Sequence, residues 1–189
     1  MSHAAQLLIR AALAVVLLGA MASAGAAPAI GFLYNGHGTI AVVPCGPTCL
    51  SATVTGAADD WAGPVSPIPD SWDVLVSQTV DLAAMTFAGT FSFTDVGPGA
   101  NSFYGSLVGT FVPLSPTQIK GEVMYVVSGG SGIFSGATGS GMSTLYSDLA
   151  AGQWVDAGKF DITPVPEPST VLLLGIGLLG IGVARWRRA

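Results

Sequence analysis

The two cysteines of this sequence lie four positions apart, in the stretch Pro-Cys-Gly-Pro-Thr-Cys-Leu. Gly46 and Pro47 favour a tight turn between them, so a Cys45–Cys49 disulfide would close a small hairpin loop. In an exported chain, an even pair of cysteines is typical of a disulfide. A redox-active pair usually has two intervening residues instead of three, and a metal site needs companion ligands. The spacing therefore favours a structural disulfide over redox or metal chemistry.

Acid–base or nucleophilic catalysis would have to use His37, which lies in Tyr-Asn-Gly-His-Gly-Thr. A histidine in a glycine-rich loop is ordinarily just a loop residue. No nucleophile elbow accompanies it, so a Ser-His-Asp set is not indicated. The sequence therefore predicts a protein that is not an enzyme and uses no cofactor. A barrel enzyme, or a barrel that binds a small apolar ligand, stays open as an alternative.

The segment 59–73 contains two further kinds of candidate side chain. Asp59 and Asp60 could bind calcium only with other oxygen ligands, which the sequence does not show, so no metal site is predicted. Trp61 and Trp72 lie among acids and prolines, and an exposed indole can stack on a sugar ring. These two tryptophans are the candidate sugar platform, although such residues more often cap the end of a barrel.

The central part of the chain is acidic. Of six basic residues, only Lys120 and Lys159 lie between the two terminal segments, whereas ten of the eleven acids lie there. Nucleic acids and anionic lipids both need a basic face on the protein. The charge distribution therefore disfavours nucleic acid as a partner.

Eight stretches of the central part alternate apolar and polar residues with the period of a β-strand. Turn signals rich in glycine, proline and serine separate them, and no amphipathic helical repeat occurs between the ends. This pattern predicts an all-β fold, either a single antiparallel barrel of calycin or dirigent type or a β-sandwich. The predicted strands are 39–43, 51–55, 73–80, 85–93, 102–112, 118–127, 142–148 and 158–163.

Glycines on the predicted inward faces of consecutive strands favour the barrel over the sandwich, because glycine lets a strand bend and large neighbours fit. Residues 126–141, Val-Val-Ser-Gly-Gly-Ser-Gly-Ile-Phe-Ser-Gly-Ala-Thr-Gly-Ser-Gly, resemble the Gly-Gly-Thr-Gly-x-Phe run of dirigent and allene oxide cyclase-like barrels, with Ser131 replacing the usual threonine. The resemblance implies a fold and says little about activity. The matching residues are Gly129, Gly130, Gly132, Phe134, Ala137 and Gly139.

The N-terminal segment has the three parts of a secretory signal peptide. Arg10 precedes an apolar run from Ala11 to about Met21, and small residues follow. The run is short for a membrane span of about 20 residues, so a cleaved signal is favoured over an uncleaved anchor. We predict a signal peptide at residues 1–26 and an exported domain at residues 27–163.

The C-terminal segment combines an apolar run, residues 171–184, with the basic residues Arg185, Arg187 and Arg188. With its flanking residues this run forms a helix of about 27 Å, marginally enough to cross a hydrocarbon core of about 30 Å. The arginines should stay on the cytoplasmic side as a stop signal. We predict a transmembrane helix at residues 170–184, with the exported domain outside the cytoplasm.

Alternating prolines precede that helix in Thr-Pro-Val-Pro-Glu-Pro-Ser-Thr, and they should keep the chain extended and exposed. Residues 165–189 resemble the C-terminal sorting signal of PEP-CTERM proteins, which occur in Gram-negative bacteria that make exopolysaccharide. The resemblance implies processing by an exosortase, a membrane-embedded enzyme similar to cysteine proteases. It assigns Pro166, Glu167 and Pro168 as the recognition motif within a sorting signal at residues 164–189.

Together these features predict an exported protein that is held briefly in the membrane and then retained at the outer surface or released into the extracellular matrix. The expected role is structural or interactive and linked to exopolysaccharide or biofilm, with a carbohydrate-binding module as the alternative. Because the strands are apolar, pairing between strand edges of separate copies is also open.

Overall fold

The computed structural model describes residues 29–62, 71–97 and 101–164, and the side chains of residues 60–62 are not described. The predicted signal peptide (1–26), the predicted membrane helix (170–184) and the Pro-Glu-Pro motif lie outside these ranges. In the described part of the chain, no helix has the length and hydropathy needed to span a membrane.

Eight β-strands account for most of the described residues, each at the place where the sequence predicts one, and most extend beyond the predicted bounds. A short 3-10 helix, Gly132–Phe134, follows the sixth strand. The strands are β1 (Ile30–Gly46), β2 (Cys49–Ala62), β3 (Ser71–Asp81), β4 (Thr86–Asp95), β5 (Ser102–Pro113), β6 (Gln118–Ser131), β7 (Thr138–Asp148) and β8 (Gln153–Thr163).

The strands form a closed antiparallel barrel in simple sequence order. Each strand pairs with the next one, and β8 closes the barrel by pairing with β1 in a register that aligns Phe32 with Phe160. The structure therefore selects the barrel over the sandwich. Closure gives every strand a partner on both sides, although residues 40–46 of β1 pair only with β2. Pairing between strand edges of separate copies therefore stays open at this short stretch.

The antiparallel strand order gives the barrel two ends with different chain connections. The chain enters at Ile30 and leaves at Thr163 at one end, which we call the terminal end. The opposite end, the hairpin end, contains the tight turns that join β1 to β2, β3 to β4, β5 to β6 and β7 to β8. The four hairpins at that end are local in sequence.

Aromatic side chains fill the interior near the terminal end. The rings of Phe93 and Phe103 stack with centroids 5.0 Å apart, and Phe160 meets Phe103 edge to face at 5.0 Å. Phe134, on the 3-10 helix, is fully buried against Phe103 and closes this end of the core. The alternation seen in the sequence thus places large apolar groups inside, as a small barrel requires.

Glycines on the inward faces allow this filling, as the sequence predicts. A Cβ atom at Gly105 would collide with the backbone carbonyl oxygen of Val126, so only glycine fits there. At Gly109 and Gly121 the missing side chains leave the space that the ring of Phe87 occupies.

Cys45 and Cys49 form a disulfide across the turn between β1 and β2, with their Cα atoms 5.1 Å apart. This pairing confirms the prediction from their spacing. The bond closes the first hairpin at the hairpin end, where no strand pairing continues beyond Gly46 and Cys49.

Replacing both Cys45 and Cys49 with serine is expected to lower the free energy of unfolding by about 2 kcal/mol, because the lost cross-link closes only a short loop. Urea denaturation of the oxidised protein and of the double variant measures the difference. Reducing the wild-type protein serves as the matched control and should give the same loss. Equal stability of the oxidised and reduced forms would contradict the prediction.

Candidate functional site

Four polar side chains meet inside the barrel, among apolar neighbours, and form the buried polar cluster: Tyr34, Tyr125, Ser143 and Asp156. The Tyr34 hydroxyl donates a hydrogen bond of 2.7 Å to Asp156 Oδ2. The Tyr125 hydroxyl lies 3.3 Å from the same oxygen and 3.2 Å from Ser143 Oγ. The two tyrosine oxygens are 3.4 Å apart, so the four groups form one continuous network.

Strand alternation brings these residues together from four different strands. Tyr34 comes from β1, Tyr125 from β6 and Ser143 from β7, and all three occupy inward positions. Asp156 follows Trp154 by two residues on β8, so it points inward with the apolar residues of that strand and is only 7% exposed.

Burial controls the protonation of this cluster. It raises the pKa of Asp156 from 3.8 to about 6, although hydrogen bonds from Tyr34, Ser143 and Tyr125 oppose the rise by stabilising the carboxylate. Burial also raises the pKa of Tyr34 and of Tyr125, and the nearby Asp156 charge adds to both rises. Near neutral pH the cluster therefore contains two neutral tyrosines and a carboxyl group that is mostly ionised, which reaches its midpoint when the pH falls to about 6.

Two small cavities lie in the barrel interior, and the first of them borders the cluster. One of about 30 Å³ is lined by Asp156, Trp154 and Gln78, and one of about 40 Å³ toward the hairpin end is lined by Gln78, Ser147 and apolar side chains. Asp156 Oδ1 and Ser147 Oγ are buried with no hydrogen-bond partner among the described residues.

The size of these cavities limits what the cluster can do. A water molecule needs about 10–15 Å³ of such space, whereas pockets for small-molecule ligands are usually about 300–1,000 Å³. Each cavity can therefore accept water beside a buried polar oxygen. The cluster can exchange a proton near pH 6, and the two interior cavities hold no more than water. Tyr34 and Ser143 of the cluster also line a larger surface depression of about 720 Å³.

The proposed sugar platform is not formed by Trp72. This side chain is fully buried and packs edge to face against Phe103 and Phe134, with ring centroids 5.5 and 5.8 Å apart. Trp72 is the first of the alternate residues of β3 that face the barrel interior. The prediction of an exposed Trp72 is therefore wrong. The side chain of Trp61 lies outside the described part, and its role stays a prediction.

His37 and Asp59, which the sequence offered for catalysis and for calcium binding, lie on the outer surface. His37 Nδ1 is 3.7 Å from Asp59 Oδ2, and both side chains are substantially exposed. This contact joins β1 to β2 and does not involve the buried polar cluster. Within residues 29–62, 71–97 and 101–164, no three His, Cys, Asp or Glu side chains are grouped as metal ligands.

The sorting segment begins where the barrel ends. β8 ends at Thr163, and residues 164–188 match the family model described as the PEP-CTERM protein-sorting motif. No curated protein and no solved structure matches the chain. The chain is thus an exported β-barrel protein that bears a C-terminal membrane-sorting signal. More specifically, it carries the PEP-CTERM motif, which confirms the resemblance seen at Pro166, Glu167 and Pro168 and indicates processing by an exosortase in a Gram-negative bacterium.

The family match covers the sorting segment and does not extend into the barrel. The dirigent-like resemblance of residues 126–141 is therefore not shown and stays a prediction. In the structure this stretch forms the end of β6, the 3-10 helix and the start of β7.

Proposed function

We propose that the barrel is a non-catalytic interaction protein, which the exosortase pathway delivers to the outer surface or to an exopolysaccharide matrix. The observation that carries the proposal is the direct succession of a closed, filled barrel and a sorting motif. The barrel is the folded domain that is exported, and the motif is the site at which the chain is processed.

The position of the motif supports processing without unfolding of the barrel. Thr163 is the last residue of β8, and Pro164 immediately follows it. Proline has no amide hydrogen to donate to a sheet and keeps the preceding residue extended. Because the motif follows the last strand in sequence, an enzyme at the membrane can act on Pro166, Glu167 and Pro168 without displacing a strand of the barrel.

The interior of the barrel supports an interaction role over catalysis. Its terminal end is filled by stacked and edge-to-face aromatic rings, and its two cavities are water-sized. Binding to other macromolecules would then use the outer surface. Exopolysaccharide is the partner that the sorting signal favours, and a panel of purified polysaccharides tests it, with Trp61→Ala as the variant that removes the remaining candidate platform.

Replacing Glu167 with glutamine is expected to leave the C-terminal segment attached, because the recognition motif Pro166-Glu167-Pro168 loses its only charge. Intact mass of protein recovered from the envelope and from the medium measures the outcome. Wild-type protein should lack about 26 N-terminal residues and the residues that follow the cleavage point near Glu167.

The other glutamate of the chain, Glu122, offers a matched control because it lies on the exposed face of β6. Glu122→Gln should be processed like the wild type. A wild-type mass that retains Arg185 through Ala189 would mean a permanent anchor and would overturn the proposal. Additional mass at the new C-terminus would support it and would show that the cleaved chain is joined to another group.

A further inference from the structure

One outer face of the barrel is apolar, and we call it the methionine face. A row of directly paired residues crosses it, in which Val108 is opposite Met124, Met124 is opposite Met142, and Met142 is opposite Lys159. Leu33 continues the row beyond Lys159. The face consists of Leu33, Val108, Met124, Val126, Met142 and Lys159.

The apolar side chains of this face are largely exposed and adjoin one another across neighbouring strands. Met124 is 60% exposed, Leu33 is 56% exposed and Met142 is 54% exposed, and they occupy neighbouring strands. A surface depression of about 720 Å³ lies over the same strands, with Met124, Met142 and Lys159 among its lining residues. Contiguous exposed apolar surface of this kind marks interaction sites, and methionine is enriched in protein interfaces.

The charges on this face differ from those on the rest of the barrel. Lys120 and Lys159 are the two lysines of an otherwise acidic domain, and both lie on the strands of this face. Lys120 Nζ is paired with Glu122 at 2.9 Å. Lys159 makes no ion pair within the described residues, and neither does Asp161, which follows it two positions later on the same exposed side of β8.

We propose that the methionine face binds the same face of a second copy of this protein. In this dimer the twofold axis lies in the interface, perpendicular to β8, and passes between Lys159 and Asp161. It would bring each lysine opposite the aspartate of the other copy. Through β7, Met124 of β6 is in register with Lys159 of β8, and Val126 is in register with Asp161. The rotation that exchanges Lys159 and Asp161 between the copies therefore also brings Met124 opposite Val126 of the second copy. An isologous contact of this kind is self-complementary in both charge and hydrophobicity.

Electrostatics favours a second copy over other occupants of this face. Elsewhere the acidic surfaces of two barrels repel each other, whereas here Lys159 balances Asp161 and Lys120 balances Glu122. Anionic lipid would need a net basic face, which the methionine face lacks. Every strand of the closed barrel has a partner on both sides, so we expect two copies to meet through side chains of an outer face.

Charge reversal and charge exchange at Lys159 and Asp161 test this arrangement in the full chain. Sedimentation velocity at physiological salt, in one detergent for every variant, measures the dimer dissociation constant. Lys159→Glu should raise it by about tenfold or more, because each new glutamate meets an aspartate of the other copy. The exchanged variant, Lys159→Asp with Asp161→Lys, should return it to within about threefold of the wild type, because the twofold axis restores both pairs.

Every variant keeps the same sorting segment, so any association through that segment is common to all of them. A carbodiimide cross-link between Lys159 and Asp161, found between ¹⁴N-labelled and ¹⁵N-labelled copies by mass spectrometry, would support the direct contact. A monomeric wild type, an unchanged dissociation constant in Lys159→Glu, or no recovery in the exchanged variant would overturn the proposal. A monomer that binds zwitterionic vesicles through Met124 and Met142 would assign the face to lipid and would also overturn it.

Discussion

Asp156→Asn is expected to remove most of the pH dependence of stability between about pH 4 and pH 6. The folded protein binds a proton at Asp156 more tightly than the unfolded chain does, since the pKa is about 6 when folded and 3.8 in the reference state. The contribution of Asp156 to stability should therefore be complete below about pH 4 and should be lost as the pH rises through about 6. The loss should be about 3 kcal/mol, at 1.36 kcal/mol for each unit of pKa difference.

The asparagine variant should lack this loss because its side chain does not ionise. It can still accept the hydrogen bond from the Tyr34 hydroxyl that now binds Asp156 Oδ2 at 2.7 Å. Above pH 6 the variant should therefore be at least as stable as the wild type. Urea denaturation from pH 3.5 to pH 8, followed by the fluorescence of buried Trp154, measures both profiles.

Asp73→Asn is the matched control, because Asp73 is an exposed residue of β3. It should keep the pH dependence of the wild type. A wild-type stability that rises between pH 4 and pH 6 would contradict the proposed protonation of Asp156, because it would require the folded state to favour the carboxylate.

Phe160→Ala should produce the largest loss of stability among the single substitutions considered, about 3–5 kcal/mol. Phe160 is fully buried, and its ring centroid is 5.0 Å from those of Phe103 and Tyr125 and 5.4 Å from that of Phe93. Removing this ring would leave a cavity at the point where aromatic residues from several strands meet. Because the surrounding strands are closed into a barrel, they can collapse only partly into the space.

Val155→Ala provides the control on the same strand, since Val155 points outward and is 54% exposed. Its effect should stay within about 0.5 kcal/mol. Phe160→Leu should fall between the two, because it keeps an apolar side chain in the core. If Phe160→Ala costs no more than Val155→Ala, the packing of the aromatic core differs from that described here.

The strand content was predictable because alternation is a local signal. Each inward residue of β4 and β5, such as Phe91 or Leu107, is separated from the next by one outward residue, and the period survives in the sequence. The strand limits were less predictable. β1 begins at Ile30, nine residues before the predicted start, because glycines and polar residues in its first half obscure the alternation.

The buried polar cluster was not predicted, because the start of β8 was placed too late in the sequence. The predicted strand began at residue 158, so Asp156 appeared to lie in a loop, although Trp154, Asp156 and Phe160 share one face. An acid on the apolar side of an alternating stretch was the available signal. Trp72 was misassigned because prolines and acids precede it in sequence, whereas its burial depends on Phe103 and Phe134, which are distant along the chain.

Export and sorting could be inferred from linear order alone, because cellular machinery recognises short segments of the unfolded or extended chain. The Cys45–Cys49 disulfide could also be predicted from the sequence, since the two cysteines are close together along the chain. Closure by β8 on β1, the meeting of Tyr34 with Asp156 and the burial of Trp72 depend on contacts between residues far apart in sequence. Their energies arise from packing and desolvation, which exist only once the barrel has closed around them.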